Sequence, residues 1–264
     1  MSALSPAAAA PPAVERIEIL GLSVCRVDRA ETHALLRRYL AEGGSHLVVT
    51  VDAFGAVTAA SDPEYRSIVN RADLATPDGA GILWAARRLG RPLKERVSGV
   101  DLAEWLCAEG ARAGFSLFFY GGEPGVAEAA AARMQARYPG LRIAGTAHGY
   151  LSPAEEAALP ERIRSLRPAV LLVALGIPRQ EKWLAAHRDR LAVPICMGVG
   201  GTLDVFSGRV DRAPAWMQRS GLEWLYRLLR DPRKIRKVAV LPRFVAMVMR
   251  ARRADATTAR SAGG

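Results

Sequence analysis

The sequence predicts an α/β fold: a Rossmann-like, largely parallel sheet with helices on both faces, extended at the C-terminus by a basic helical appendage. Three observations carry this expectation. Apolar strand-like runs alternate with helical patterns along the chain, the arrangement produced by strands joined through crossover helices. The strand-like runs end at Gly or Pro, as tight strand-to-helix connections do. Charge is also unevenly distributed: of the net +11, residues 221–264 hold eleven Lys/Arg against Glu223, Asp231 and Asp255, a surplus of +8 that leaves +3 for the rest.

Residues 1–14 are Ala/Pro-rich and lack a basic start, and Pro6, Pro11 and Pro12 interrupt any apolar stretch. They read as a disordered leader and not as a secretion signal. A strand pair follows at 17–27 around Gly21, then a helix at 28–41 and an apolar strand at 46–51. Further strands are expected at 116–120, 142–146, 169–175 and 194–199, and helices at 82–89, 123–138, 153–166 and 179–190. No internal repeat or long linker divides residues 15–219, which form one α/β core. Residues 220–253 read as the basic helical appendage, with a helix from 221 to 230, a restart at Pro232 and a break near Pro242. Residues 254–264 read as a disordered tail. The longest apolar stretch near the C-terminus, 238–249, contains Pro242 and Arg243 and is too short to span a bilayer.

Cys25, Cys107 and Cys196 are odd in number and lie in apolar segments, which suggests a reducing compartment. His33, His46, His148 and His187 have no metal-ligand spacing. The basic balance alone would suit a nucleic-acid binder, but aromatic residues make up 6% of the chain and no nucleic-acid motif is present.

In a parallel sheet, ligands collect where the carboxyl ends of strands meet helix N-termini. Gly121 and Gly122 follow the 116–120 strand; they serve either the turn itself or the close approach of a phosphate or sugar. The exit at 175–183 places Pro178 in a first helical turn, with Arg179 and Gln180 directed over the sheet edge. The exit at 198–204 contains Gly200, Gly201 and Asp204, an aspartate suited to capping a turn or to binding a ligand. Asp78, between Pro77 and Gly79, is placed either to cap the following helix or to take a proton from an incoming hydroxyl. Ser98 to Asp101 has capping-box spacing, and Arg96 just outside it suits a phosphate, an acceptor or solvent. Neither GxGxxG nor a P-loop occurs, and no two aspartates are separated by one residue. A leaving diphosphate would then be stabilised by protein cations and N–H groups.

The segments TPDGAG at 76–81, RVSGVDL at 96–102, FFYGGEPGVAE at 118–128, LGIPRQEKW at 175–183 and GVGGTLDVFSGRVDRAPAWMQRSGLEWLYRLLRDP at 198–232 together resemble the WecG/TagA/CpsF family of glycosyltransferases, over roughly residues 15–240. The resemblance implies an inverting, metal-independent enzyme, without cofactor, that moves a sugar from a UDP-sugar to a polyprenyl-diphosphate-linked acceptor in cell-surface polysaccharide biosynthesis. It implies Asp78 as general base and Thr50, Arg96, Gln180 and Asp204 as polar residues of the cleft. Asp52 stands where the family often has asparagine. Arg227, Lys234 and Lys237 are the candidates for contacting the diphosphate. Apolar Trp224, Leu225, Leu228 and Leu229 alongside these cations suit an anionic membrane surface, placing the enzyme peripherally on the cytoplasmic face of the plasma membrane. Nucleic acid is not an expected partner, and assembly into a homo-oligomer is left open.

Overall fold

The computed structural model describes residues 14–214, 216, 217, 226 and 239–261, with side chains through 254. The first thirteen residues of the expected leader, the end of the expected tail, and Arg227, Lys234 and Lys237 lie outside the described residues.

The chain opens with an antiparallel hairpin, β1 (Arg16–Ile19) and β2 (Leu22–Cys25), which turns at Leu20–Gly21 with both residues at positive φ. It continues through α1 (Arg29–Glu42), β3 (His46–Val51), α2 (Ala53–Ser61), α3 (Pro63–Arg71), β4 (Leu74–Pro77), α4 (Ala80–Arg88) and α5 (Gly99–Ala113). The second half contains β5 (Ser116–Gly121), α6 (Val126–Arg137), β6 (Arg142–Ala147), α7 (Pro153–Leu166), β7 (Val170–Ala174), α8 (Arg179–Leu191), β8 (Ile195–Gly198) and α9 (Thr202–Phe206). A final described helix, α10, spans Leu241–Ser261.

Strands β3 to β8 form one sheet in the order β4-β3-β8-β7-β5-β6, with every neighbouring pair parallel. The steps β3 to β4, β6 to β7 and β7 to β8 run in one direction across the sheet, whereas β4 to β5 and β5 to β6 run in the other. Right-handed crossovers therefore put α2, α3, α7 and α8 on one face and α5 and α6 on the opposite one. Burial on both faces explains why β5 and β7 read as nearly unbroken apolar runs: Leu117 to Tyr120 and Val170 to Val173 are all fully buried. Each such Leu, Val or Phe contributes roughly 1.5–3 kcal/mol through burial.

Several local expectations change. Residues 74–77 form the short edge strand β4, where Pro77 is tolerated in the last position. Helices α2 and α3, unassigned from the sequence, start at Asp52 and Asp62, whose carboxylates accept from the N–H groups of Gly55 and Tyr65. The break expected near Pro242 is present as a helix start: residues 239–240 form a turn and Pro242 lies in the first turn of α10, which runs through the expected boundary at 253 to Ser261. Phe244 and Val248 of α10 are buried. The Phe244 ring lies 6.3 Å from that of Trp84 on α4, so α10 packs on the protein's own body.

Candidate active site

Strands β4, β3 and β8 are adjacent and end at one edge of the sheet. Their exits bring together most of the predicted residues. Asp78 leaves β4, and its N–H donates to the Val51 carbonyl at the end of β3 (2.8 Å), which fixes the turn against the neighbouring strand. The Asp78 carboxylate does not cap the helix that follows it, because the cap of α4 is Gly79 and no side chain bonds there. Instead, Oδ2 accepts from the backbone N–H of Gly99, the first residue of α5 (3.1 Å), and Oδ1 faces Arg96 Nε at 3.4 Å. The Asp78 side chain remains 24% exposed, so it is accessible from the same edge as the glycine-containing loops.

Gly99 eases this approach: a Cβ there would lie 3.1 Å from Thr50 Cγ2, so that one of the two would have to give by a few tenths of an ångström, and 3.6 Å from Asp78 Oδ2, an ordinary contact. Thr50 lies on β3 directly beside Thr76 of β4, and its side chain lines the space between Gly99 and the strand. The expected capping box is not formed: Ser98 makes no side-chain cap bond, and Asp101 pairs with Arg212 instead. Asp78 supplies an acceptor for Gly99 N–H, a first-turn donor that the box would not have served.

Asp52, at the β3 exit, accepts from Gly55 N–H at 2.7 Å as the N-cap of α2. It also lies beside the Asp78 turn, since a Cβ on Gly79 would come within 4.0 Å of Asp52 Cβ. The N-termini of α2 and α4 follow these exits directly, and that of α5 rests on Asp78. Three positive helix ends thus meet next to two carboxylates.

Gln180 does not point over the edge as its position suggested. It is 2% exposed; its Oε1 accepts from Gly176 N–H (3.2 Å) and Gly200 N–H (2.9 Å), while Nε2 donates to Glu181 (2.7 Å). This carboxamide ties the β7 exit to the β8 exit from beneath. Gly200, at φ +52, and Gly201 form the β8 turn; Asp204 follows in the first turn of α9, with its Oδ2 beside Gly201.

Gly121 and Gly122 are separate from this group. Their strand lies three positions from β3, about 14 Å at normal strand spacing. Gly121 has a packing reason to be glycine, because a Cβ would come within 2.3 Å of the Ala174 carbonyl of β7. This outer end gathers Arg179, which the sequence placed over the sheet edge, with Tyr120, Glu156 and Tyr150, which sequence reasoning missed. Arg179 donates to the Gly149 carbonyl (3.1 Å) and pairs with Glu156 (3.2 Å). Burial and the neighbouring Glu156 push the Tyr120 hydroxyl above its usual range, so it stays protonated as the donor to Glu156. Tyr150 is 69% exposed in the turn after β6, and its signal in the sequence was an aromatic directly after Gly149 at a strand exit. Among the described residues, no group of three or more His, Cys, Asp or Glu side chains is placed to hold a metal ion.

The family model for glycosyl transferases of the WecG/TagA/CpsF family matches residues 17–258, a span that includes α10 almost entirely. A curated relative from Bacillus spizizenii is 34% identical over 218 residues, 83% of this chain and 84% of its own length. A second from Bacillus subtilis is 30% identical over 85% of each chain. A third from Staphylococcus aureus is 30% identical over 90% of this chain and 94% of its own. All three carry the name N-acetylglucosaminyldiphosphoundecaprenol N-acetyl-beta-D-mannosaminyltransferase. An edge of strand exits that combines an accessible carboxylate, an arginine and converging helix N-termini thus occurs in a chain that belongs to the WecG/TagA/CpsF family of glycosyltransferases.

Proposed function

We propose that this glycosyltransferase inverts the anomeric configuration without a metal ion, moving a sugar from a UDP-sugar to an acceptor on a polyprenyl diphosphate in cell-surface polysaccharide assembly. The names of the relatives make N-acetylmannosamine the first donor sugar to test and N-acetylglucosamine-diphosphoundecaprenol the first acceptor. The observation that carries the reading is the Asp78 carboxylate, held by Gly99 N–H and Arg96 yet open to the edge where the strands end.

In the proposed reaction, the acceptor hydroxyl oxygen attacks the anomeric carbon as its proton passes to Asp78. The bond from that carbon to the β-phosphate oxygen breaks, and UDP leaves with the bonding electrons. Negative charge grows on the departing phosphate, and fixed positive groups lower the barrier by binding this charge better than the ground state. Arg96 and the three helix N-termini are positive groups at the edge. The sequence offers Arg227, Lys234 and Lys237 from its basic C-terminal segment as further diphosphate contacts. Thr50 beside Gly99 and Asp204 beside Gly201 serve as further polar residues of the cleft, while Gln180 supports the β8 turn from below.

Peripheral attachment to an anionic bilayer suits a lipid-linked acceptor. Among the described residues no helix is long and apolar enough to cross a membrane. On α10, Arg243 and Arg250 are exposed on one flank of the buried Phe244 and Val248 and Val245 on the other, a mixture that favours an interface.

The test is a screen of UDP-sugars against a short-chain N-acetylglucosaminyl lipid diphosphate, following UDP release with and without chelator and the anomeric configuration of the product. Asp78→Asn should lower kcat by about 10²–10⁴ and leave UDP affinity unchanged. Full turnover in that variant would remove Asp78 from its role, and loss of activity with chelator would overturn metal independence.

A further inference from the structure

The Asp101–Arg212 pair belongs to none of the roles above, yet it joins two sides of the site. Asp101 is in the first turn of α5, two residues beyond Gly99, whose N–H holds the Asp78 carboxylate. Arg212 follows α9; the side chains of the pair are 37% and 25% exposed. The segment that carries Arg212 is itself attached to the β8 exit: Val210 N–H donates to the Asp204 carbonyl (3.1 Å), and Ala213 is buried. A continuous chain of contacts therefore runs from Asp204 through Val210, Arg212, Asp101 and Gly99 to Asp78. It links the exits of β8 and β4, which are two strand positions apart and so separated by about 10 Å.

The sheet alone does not set the position of the α5 N-terminus. Its backbone ties to the β4 exit are the Val97 N–H to Pro77 carbonyl bond (2.8 Å) and the Gly99 contact to Asp78. Both are at the extreme end of a 15-residue helix, whose start is otherwise held by burial of Val100, Leu102 and Ala103 and by the Asp101–Arg212 pair. A charge-assisted contact in the first turn resists displacement of that start, and Asp101 also complements the positive end of the helix.

We propose that Arg212 and Asp101 are positioning residues for the transfer reaction, holding the start of α5 so that Gly99 N–H keeps the Asp78 carboxylate aimed at the acceptor. The inference rests on the reading of Asp78 as the base. Loosening the pair leaves donor binding intact and lowers turnover, because misplacement of a reacting group by a fraction of an ångström is costly.

A double-mutant cycle on the full chain tests this, with Asp101→Asn, Arg212→Gln and the double variant compared with wild type and with Asp78→Asn. Each single change should lower kcat about 5–20-fold with donor KM within about 2-fold, and the double should be no worse than either single. Amide exchange at Gly99 should quicken in all three, and unchanged melting temperatures would exclude a loss of folded enzyme. Wild-type kcat in both single variants, additive losses in the double, or losses that only follow a fall in folded fraction would overturn the positioning role. If Asp78→Asn is inactive while the cycle is flat, the pair alone loses its role; if Asp78→Asn retains turnover, both readings fail.

Discussion

Strand β4 is bracketed by two aspartates, Asp73 before it and Asp78 after it, and their surroundings differ in what they leave available. Asp73 Oδ2 accepts from Leu47 N–H at 2.8 Å and faces Arg188 at 3.4 Å, while its other oxygen is near His46. Arg188 also donates to the Ser45 carbonyl, so this end of the sheet is a clasp that closes on itself. Asp78 has one backbone donor and an arginine contact of similar length, but it is at the end where helices begin. Helix N-termini bring unsatisfied N–H groups and positive potential, whereas helix C-termini bring carbonyls. An aspartate–arginine pair is therefore not a site by composition; the direction of the strands decides which pair faces a ligand.

The two ends can be set against each other directly. Asp78→Asn carries the largest expected effect, the loss of about 10²–10⁴ in kcat given above, whereas Asp73→Asn should lower stability by about 1 kcal/mol and leave kcat unchanged. Equal kinetic losses from the two variants would erase the distinction. Arg96→Gln should come next, lowering kcat about 10–100-fold with little change in melting temperature, since Arg96 faces the reacting end of the sheet. An unchanged kcat would place Arg96 among the solvated surface arginines.

An effect on stability alone is also expected at a carboxylate outside both aspartate clusters. Glu109 on α5 accepts from Arg112 and from Arg37 on α1, and these bonds hold its carboxyl down at about 2. A carboxylate with a depressed folded value stabilises the protein above its ordinary range, near 4.5, and that contribution is lost as pH falls toward 2. Glu109→Gln should cost about 1–2 kcal/mol at neutral pH, with a gap to wild type that narrows below pH 4.5 and with unaltered turnover. A gap independent of pH would show that the glutamate acts through packing alone.

Much of the fold was legible before any coordinates. The span 46–51 is β3 and 153–166 is α7, because long apolar runs and a helix with Ser152 and Glu155 in a true capping box state their conformation locally. Strand β4 was hidden because four residues ending in proline have too little pattern, and Asp52 and Asp62 were the overlooked marks of α2 and α3. At the site, the sequence nominated Asp78 and Arg96 but left open whether the aspartate caps the helix that follows it or faces an incoming hydroxyl. It misread Ser98 to Asp101, where a local capping pattern lost to two contacts between residues distant in the chain.

By itself, then, the sequence determined the layered α/β architecture, the family and the acidic and basic residues at strand ends, all of which depend on neighbours close in the chain. Only the tertiary structure decided that Asp78 serves α5 and not α4, that Gln180 turns inward, and that Asp101 finds Arg212. Each of these outcomes depends on which strands lie side by side and how closely a helix start can approach them, and such distances are set by the packing of the whole sheet.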